Sequence, residues 1–127
     1  MNARYGIDWE KGFENLTKED YEKIFVETSK IIEAKHPTEL LPGAFYDRGL
    51  VYYDRSDYGK AIPDFSSAIQ FAFNHPADAY YCRGLAYYSI DKYDNALSDF
   101  IEAIKIAPDF ENAKSMRDQT IKEQEKQ

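Results

Sequence analysis

The sequence has little of the chemistry on which enzymes and metal sites depend. Its 127 residues include one cysteine, Cys82, and two histidines, His36 and His75. A lone cysteine cannot form an internal disulfide, so nothing indicates an oxidising compartment. Each histidine precedes a proline, at what we expect to be the C-terminal end of a helix, and neither has neighbours at metal-ligand spacing. Cys82 also has no partner histidine within residues 77–110. We therefore expect no metal, no cofactor and no catalytic site.

Basic residues and long apolar segments are scarce as well. The chain has 16 lysine and arginine residues against 23 aspartate and glutamate residues, a formal net charge of −7. An acidic chain repels the phosphate backbone, so a nucleic acid partner is not expected. The opening stretch, MNARYGIDWEKGFENL, has no apolar run of the length of a signal peptide or a membrane span. We therefore expect no membrane association and a cytoplasmic location.

Aromatic residues are abundant, and many recur at a fixed interval. A shift of 35 residues, the distance from Gly49 to Gly84, superposes AFYDRGLVYYDRSDYGKAIPDFSSAI on AYYCRGLAYYSIDKYDNALSDFIEAI with 13 identical positions. Agreement over such a span is not expected by chance, so the chain contains an internal repeat.

Each copy has the pattern of two amphipathic helices joined by a short turn. In the first copy Phe45, Gly49 and Tyr52 follow the i, i+4, i+7 spacing of one helix face. The turns fall at DRSDYG and SIDKYD, where the side chain of Asp57 is expected to cap the next helix. Pro63 lies inside the second helix of the first copy and predicts a late start or a kink there.

The second copy, residues 77–110, carries RGLAYY, DKYDNA and DFIEAIKIAPD at spacings that resemble the tetratricopeptide repeat. The first copy, residues 42–76, resembles the same repeat with one extra residue near QFAFNHP. The resemblance implies an all-α fold, a right-handed α-solenoid of antiparallel helix pairs. It also implies that the first helix of each pair lines a concave groove that binds peptides or other proteins.

The remaining segments are expected to complete a single domain, 1–127, with about three repeats and a C-terminal capping helix. Residues 5–38 form either a degenerate third repeat or one packed helix preceded by an irregular aromatic arm. In that helix Thr17 is expected to be the cap, with Asp20 in the first turn. Residues 111–127 are polar apart from a thin apolar stripe, which is typical of the end of a helical stack.

The resemblance assigns different roles to two neighbouring stripes of each first helix. The stripe that contains the paired glycines packs between helices, and its members are Phe45, Gly49, Tyr52, Tyr80, Gly84 and Tyr87. The offset stripe faces the groove. Its six residues are predicted to bind a peptide segment or partner protein: Tyr46, Leu50, Tyr53, Tyr81, Leu85 and Tyr88. Tyrosine suits recognition because it combines an apolar ring with a hydroxyl group. The alternative is that the N-terminal arm or the C-terminal helix covers these residues.

Two arginines require a separate interpretation. Arg48 and Arg83 each precede an aspartate, Asp64 or Asp99, by sixteen residues. We predict an ion pair between the two helices of each repeat, in preference to a role in anchoring an acidic ligand. Some repeats that the chain resembles grip a terminal carboxylate, but the groove stripe here has no cation for that role, unless Lys11 or Lys18 contributes one.

Two functions follow from these patterns. The first is a protein–protein interaction module or adaptor that uses the aromatic groove, and no enzymatic activity is expected. The alternative is a structural subunit, possible as a homo-oligomer, that associates through the ends of the solenoid or through the N-terminal arm.

Overall fold

A computed structural model describes residues 4–34 and 39–127, and these residues contain six α-helices and no β-strand. Three single-turn 3-10 helices, at Arg4–Gly6, Trp9–Lys11 and Phe13–Asn15, precede the first α-helix. The α-helices are α1 (Lys18–Glu33), α2 (Leu41–Asp54), α3 (Tyr58–Gln70), α4 (Pro76–Ser89), α5 (Tyr93–Ile106) and α6 (Glu111–Glu125).

The helices pack in chain order. Each contacts the next one, from α1 to α6, and α2 also contacts α4. Turns of only three residues, 55–57 and 90–92, separate α2 from α3 and α4 from α5, so the two helices of each pair run antiparallel. The expectation of an all-α helical solenoid is confirmed. The division of the chain into repeats at 42–76 and 77–110 stays a prediction.

In the described residues before α2, 4–34 and 39–40, α1 is the single α-helix, and the 3-10 turns lead into it. Thr17 caps α1 as predicted. The Thr17 hydroxyl accepts the amide of Asp20 at 3.1 Å, and the Asp20 carboxylate accepts the amide of Thr17 at 2.9 Å. This reciprocal capping box satisfies two backbone donors that the helix cannot satisfy itself.

The turns between paired helices contain residues with positive φ angles, which the sequence did not suggest because these residues are not glycines. Ser56 and Asp91 have φ angles of 60° and 62°, in the left-handed region that favours glycine. The amides of Asp57 and Lys92 then donate to the carbonyls of Tyr52 and Tyr87 at 2.8 and 2.9 Å. These bonds form a Schellman-type end to α2 and α4.

The predicted side-chain cap at Asp57 is therefore wrong. Asp57 directly precedes α3, but its side chain makes no cap hydrogen bond. Its backbone (φ −93°, ψ 68°) is occupied in closing the preceding turn, so the residue does not take the extended conformation of a usual N-cap. Of the late start or kink predicted from Pro63, the late start is wrong, because α3 begins at Tyr58, 35 residues before the start of α5 at Tyr93. The kink stays a prediction. The proline lies within α3 and is exposed.

The core consists of small residues packed against two large rings. Phe65 and Phe100 are completely buried, together with alanines that recur along the stack. Ala44, Ala79 and Ala113 occupy the same place in α2, α4 and α6, since they are 35 and 34 residues apart. At the N-terminal end, Ile7 from the arm packs with Ile24 of α1 and Val51 of α2.

Candidate functional site

The six predicted groove residues lie on the two helices that contact each other across the repeats. Tyr46, Leu50 and Tyr53 lie on α2, and Tyr81, Leu85 and Tyr88 lie on α4. All six are half-buried. We call this set the α2–α4 stripe.

The N-terminal tyrosine of each helix in the stripe packs on an aromatic ring of its own repeat. The ring of Tyr46 stacks on Phe73, with centroids 4.4 Å apart. Tyr81 packs on Phe110 with centroids 4.8 Å apart, but the two rings are tilted by 44°. The two tyrosines therefore contribute to packing as well as to the surface between α2 and α4.

The C-terminal tyrosines of the stripe meet the first residue of the following helix edge-on. Tyr53 and Tyr58 have ring centroids 5.3 Å apart, and Tyr88 and Tyr93 repeat this distance. Burial raises the pKa of Tyr53, and a hydrogen bond with Ser89 of α4 opposes that effect. The two tyrosines are thus half-buried rings with polar tips, held in place by their neighbours.

The stripe that contains the glycines allows close approach between the paired helices. A β-carbon at Gly49 would lie 2.7 Å from Cε1 of Phe65, and one at Gly84 would lie 2.7 Å from Cε1 of Phe100. No side chain fits there unless a buried ring moves. Both glycines are buried, whereas the four aromatic members of the predicted core stripe remain half-buried.

The predicted ion pairs between Arg48 and Asp64 and between Arg83 and Asp99 are confirmed. Arg48 donates from Nε and a terminal nitrogen to the two oxygens of Asp64, at 2.7 and 2.8 Å. Arg83 does the same to Asp99, at 2.9 and 2.7 Å. The hydrogen bonds to Asp99 raise the pKa of Arg83, so the guanidinium stays charged. Neither arginine is free to anchor an acidic ligand.

A buried carboxylate that the sequence analysis did not single out lies beside the stripe. Asp47 of α2 is 5% exposed. The hydroxyl of Tyr5 donates to it at 2.7 Å, and Nε of Arg4 lies 3.3 Å from the same oxygen. Burial raises the pKa of Asp47, and the Arg4 guanidinium and the Tyr5 hydrogen bond oppose this shift. The N-terminal arm thus docks on α2 through a charged contact.

The same position in α4 holds a thiol. Cys82 follows Asp47 by 35 residues, and its Sγ shares a hydrogen bond with the hydroxyl of Tyr46 at 3.6 Å. Burial raises the pKa of Cys82 to about 11, so the thiol is protonated at neutral pH. The sequence gives one indication of this difference, because Asp47 aligns with Cys82 while the residues on either side, tyrosine and arginine, are identical in the two copies.

A cavity of about 810 Å³ opens where the arm, α2 and the segment between α3 and α4 meet. Aromatic rings and carboxylates line it, among them Tyr5, Tyr46, Phe73, Glu39, Asp47 and Asp78. Tyr46 therefore contributes to both the α2–α4 stripe and this cavity.

The two histidines and the two lysines considered in the sequence analysis are not part of the α2–α4 stripe. His75 is wrongly placed by the sequence, because α3 ends at Gln70 and His75 directly precedes α4. Its ring contacts Phe73 edge-on at 5.7 Å. His36 lies outside the described residues. Lys11 pairs with Asp20 of α1, and Lys18 is the exposed first residue of α1.

The described part of the chain lacks both a metal-binding cluster and a membrane-spanning helix. Across residues 4–34 and 39–127, no three histidine, cysteine, aspartate or glutamate side chains are arranged to hold a metal ion. None of the helices described is both long and apolar enough to cross a membrane.

Comparison with known proteins agrees with this architecture. Residues 77–110, which contain α4 and α5, match the family model of the tetratricopeptide repeat. No curated protein matches the chain. Repeats of this family typically form scaffolds for contacts between proteins and are not typically enzymes. Residues 77–110 therefore form a tetratricopeptide repeat, a repeat type that supports a general role in contacts between proteins.

Proposed function

We propose that the protein acts as an adaptor that binds a peptide segment of a partner protein across the α2–α4 stripe. The observation that carries this proposal is the recurrence of Tyr-Leu-Tyr at the same three positions of α2 and α4, all half-buried. A half-buried tyrosine that is held by its neighbours loses little conformational freedom when a ligand covers it.

The repetition itself suits an extended ligand. Because α2 and α4 contact each other, equivalent side chains lie side by side across the two repeats. A partner segment that crosses both helices therefore contacts the same three side chains on each of them, tyrosine, leucine and tyrosine.

Self-association through the ends of the stack receives less support. The exposed side chains of α1 include Glu19, Glu22 and Lys23, and those of α6 include Gln119 and Lys122. Val26 and Ile121 are the large apolar residues exposed on these two helices, at 39% and 37%. Single apolar residues among charges do not form the apolar core of a stable interface.

The test compares the intact chain with the double variant Tyr53→Ala/Tyr88→Ala. Both proteins are immobilised and exposed to extract from the native cells, and captured partners are then titrated by isothermal calorimetry. We expect the double variant to lose binding by about 10-fold or more, since two rings in a contact surface each contribute about 1 kcal/mol or more.

Two controls separate binding from stability. Tyr53→Phe/Tyr88→Phe keeps the ring contacts with Tyr58 and Tyr93, and should retain most of the affinity. Ile101→Ala/Ile106→Ala removes exposed apolar surface from α5 and should leave binding unchanged. Partner binding that survives the alanine pair, or a larger loss in unfolding free energy than in binding free energy, would contradict the proposal.

A further inference from the structure

The cavity beside the α2–α4 stripe has an unbalanced charge. Among the described residues that line it, three carry carboxylates, Glu39, Asp47 and Asp78, and Arg4 is the one with a permanent positive charge. Carboxylates therefore outnumber permanent cations among these residues. Glu39 and Asp78 are exposed, so an incoming group meets them before it reaches the buried Asp47.

Arg4 shows how a cationic side chain is accommodated in this region. Its guanidinium lies 3.3 Å from the carboxylate of Asp47. It also lies over the rings of Trp9 and Tyr5, at 4.7 and 5.6 Å from their centroids. A carboxylate on one side and aromatic faces on another together stabilise a cation that has lost part of its water.

Much of the cavity remains open beside this contact. The Arg4 side chain is itself 58% exposed, and the cavity volume of about 810 Å³ exceeds what one side chain fills. Aromatic walls from Tyr46 and Phe73 and the carboxylate of Asp78 line it together with the Arg4 and Asp47 contact. The combination of aromatic walls with an excess of carboxylates among the described lining residues matches a lysine or arginine side chain that has an apolar stem.

We infer that the partner segment is basic, and that it places a lysine or arginine side chain in this cavity while the rest of the segment crosses the α2–α4 stripe. This inference rests on the proposed function and names the class of partner. Charge complementarity carries it: the chain has a net charge of −7, and the carboxylates of the cavity are concentrated where the stripe ends at Tyr46. The three groove positions of each helix offer no charge of their own, so the cavity is what selects the ligand.

The test uses short fluorescein-labelled peptides built from a repeated Gly-Leu-Xaa unit, in which Xaa is arginine, glutamine or glutamate. Each peptide is titrated with the full chain and followed by fluorescence anisotropy at fixed ionic strength. We expect the arginine peptide to bind about 10-fold more tightly than the glutamine peptide, since a charge-assisted contact contributes about 1.5 kcal/mol. The glutamate peptide should bind most weakly.

Two matched variants locate the contact. Asp78→Asn removes a carboxylate from the cavity, and Asp109→Asn removes one from the exposed turn between α5 and α6. We expect Asp78→Asn to weaken the arginine peptide by about 5-fold and to leave the glutamine peptide unchanged. Asp109→Asn makes the same change in net charge and should have little effect on either peptide.

Several results would overturn the inference. Equal affinity for the arginine and glutamine peptides, including no detectable binding of either, excludes selection for a basic segment. Equal losses in Asp78→Asn and Asp109→Asn would show that only the net charge of the chain acts. If the glutamine peptide binds as tightly as the arginine peptide and is lost in Tyr53→Ala/Tyr88→Ala, the inference fails while the proposed function stands.

Discussion

The helix pairs α2–α3 and α4–α5 have the same contacts between their two helices. They differ in the contacts that each pair makes with the preceding segment of the chain. Each pair has one bidentate arginine–aspartate contact and one glycine against a buried phenylalanine. At one equivalent position, however, α2 has Asp47 and α4 has Cys82. Each of these residues is bonded by a tyrosine from the segment that precedes its pair, Tyr5 or Tyr46. Contacts within a pair are therefore repeated, while contacts between units adapt to the neighbour.

The largest expected effect is the loss of a buried phenylalanine, which tests whether the two helix pairs have equivalent cores. Phe65→Ala and Phe100→Ala each remove a completely buried ring and should lower the free energy of unfolding by about 3–5 kcal/mol. Urea denaturation followed by circular dichroism measures both. Because each ring packs against the equivalent glycine and tyrosine of its pair, the two losses should agree within about 1 kcal/mol.

An exposed residue provides the control for these variants. Ile101 lies next to Phe100 in α5 but is 40% exposed, so Ile101→Ala should cost much less than either phenylalanine variant. A loss at one phenylalanine that is no larger than the loss at Ile101 would show that the two pairs do not have equivalent cores.

The ion pairs rank next. The side chains of Asp64 and Asp99 are only 6% and 5% exposed, so removal of either arginine leaves a buried charge without its partner. Arg48→Leu and Arg83→Leu should each cost about 3 kcal/mol. Arg83 also donates to Ser66 of α3 at 3.0 Å, so its loss should exceed that of Arg48 by about 0.5–1 kcal/mol.

A double-mutant cycle isolates the charged contact. Asp99→Leu combined with Arg83→Leu should cost less than the two single variants added together, because no unpaired charge remains. Ser66→Ala should abolish the difference between the two arginine variants. Additive costs in the cycle would mean that the ion pair contributes no coupling in solution.

Exchange of Asp47 and Cys82 tests whether each residue suits only the contacts of its own helix pair. In Cys82→Asp, a carboxylate would lie beside Tyr46 and near Asp78, whose charge already contributes to the raised pKa of Cys82. We expect a loss of about 2 kcal/mol at neutral pH, because a buried charge there has no cation. Asp47→Cys removes the acceptor of Tyr5 and should cost about 1 kcal/mol.

The pH dependence separates charge from shape in this exchange. The new carboxylate of Cys82→Asp should have a raised pKa in the folded state, so the variant should regain stability as the pH falls. Cys82→Ser has a similar shape and no charge, and should not show that recovery. If the aspartate and serine variants unfold alike from neutral to acidic pH, the environment of residue 82 accepts a charge.

The features that could be predicted from sequence are those carried by repeated residues. The offset of 35 residues revealed the helix pairs, the packing glycines and both ion pairs, because each depends on two positions that recur together. The capping box at Thr17 was also predictable, since its hydrogen bonds lie within one turn.

The features that escaped prediction depend on contacts distant in the chain or on backbone conformations that the residue type does not indicate. Tyr5 and Asp47 are 42 residues apart, and no pattern relates the irregular arm to α2. The turns place Ser56, Ala72 and Asp91 at positive φ without a glycine, so the usual sign of such a turn was missing. His75 was predicted at the C-terminal end of a helix, but α3 ends at Gln70, before the segment that contains it.

The smallest expected effect concerns how the helices begin. In α3 and α5 no side chain caps the first turn, whereas α1 has the capping box of Thr17 and Asp20. Thr17→Ala should therefore cost about 1 kcal/mol, and Asp57→Ala, at the start of α3, should change the unfolding free energy by less than about 0.5 kcal/mol. Thermal unfolding followed by circular dichroism resolves the two.

The cap should also give a defined dependence on pH. Hydrogen bonds from Lys11 and from the Thr17 amide lower the pKa of Asp20 to about 2, from an ordinary value of 3.8. A lowered folded-state pKa means that the contribution of Asp20 is complete above about pH 4 and is lost as the pH falls towards 2. Asp20→Asn should remove this part of the acid dependence, whereas Asp57→Asn should leave it intact. Identical acid profiles for the Asp20→Asn variant and the unmodified chain would show that the carboxylate does not stabilise the start of α1.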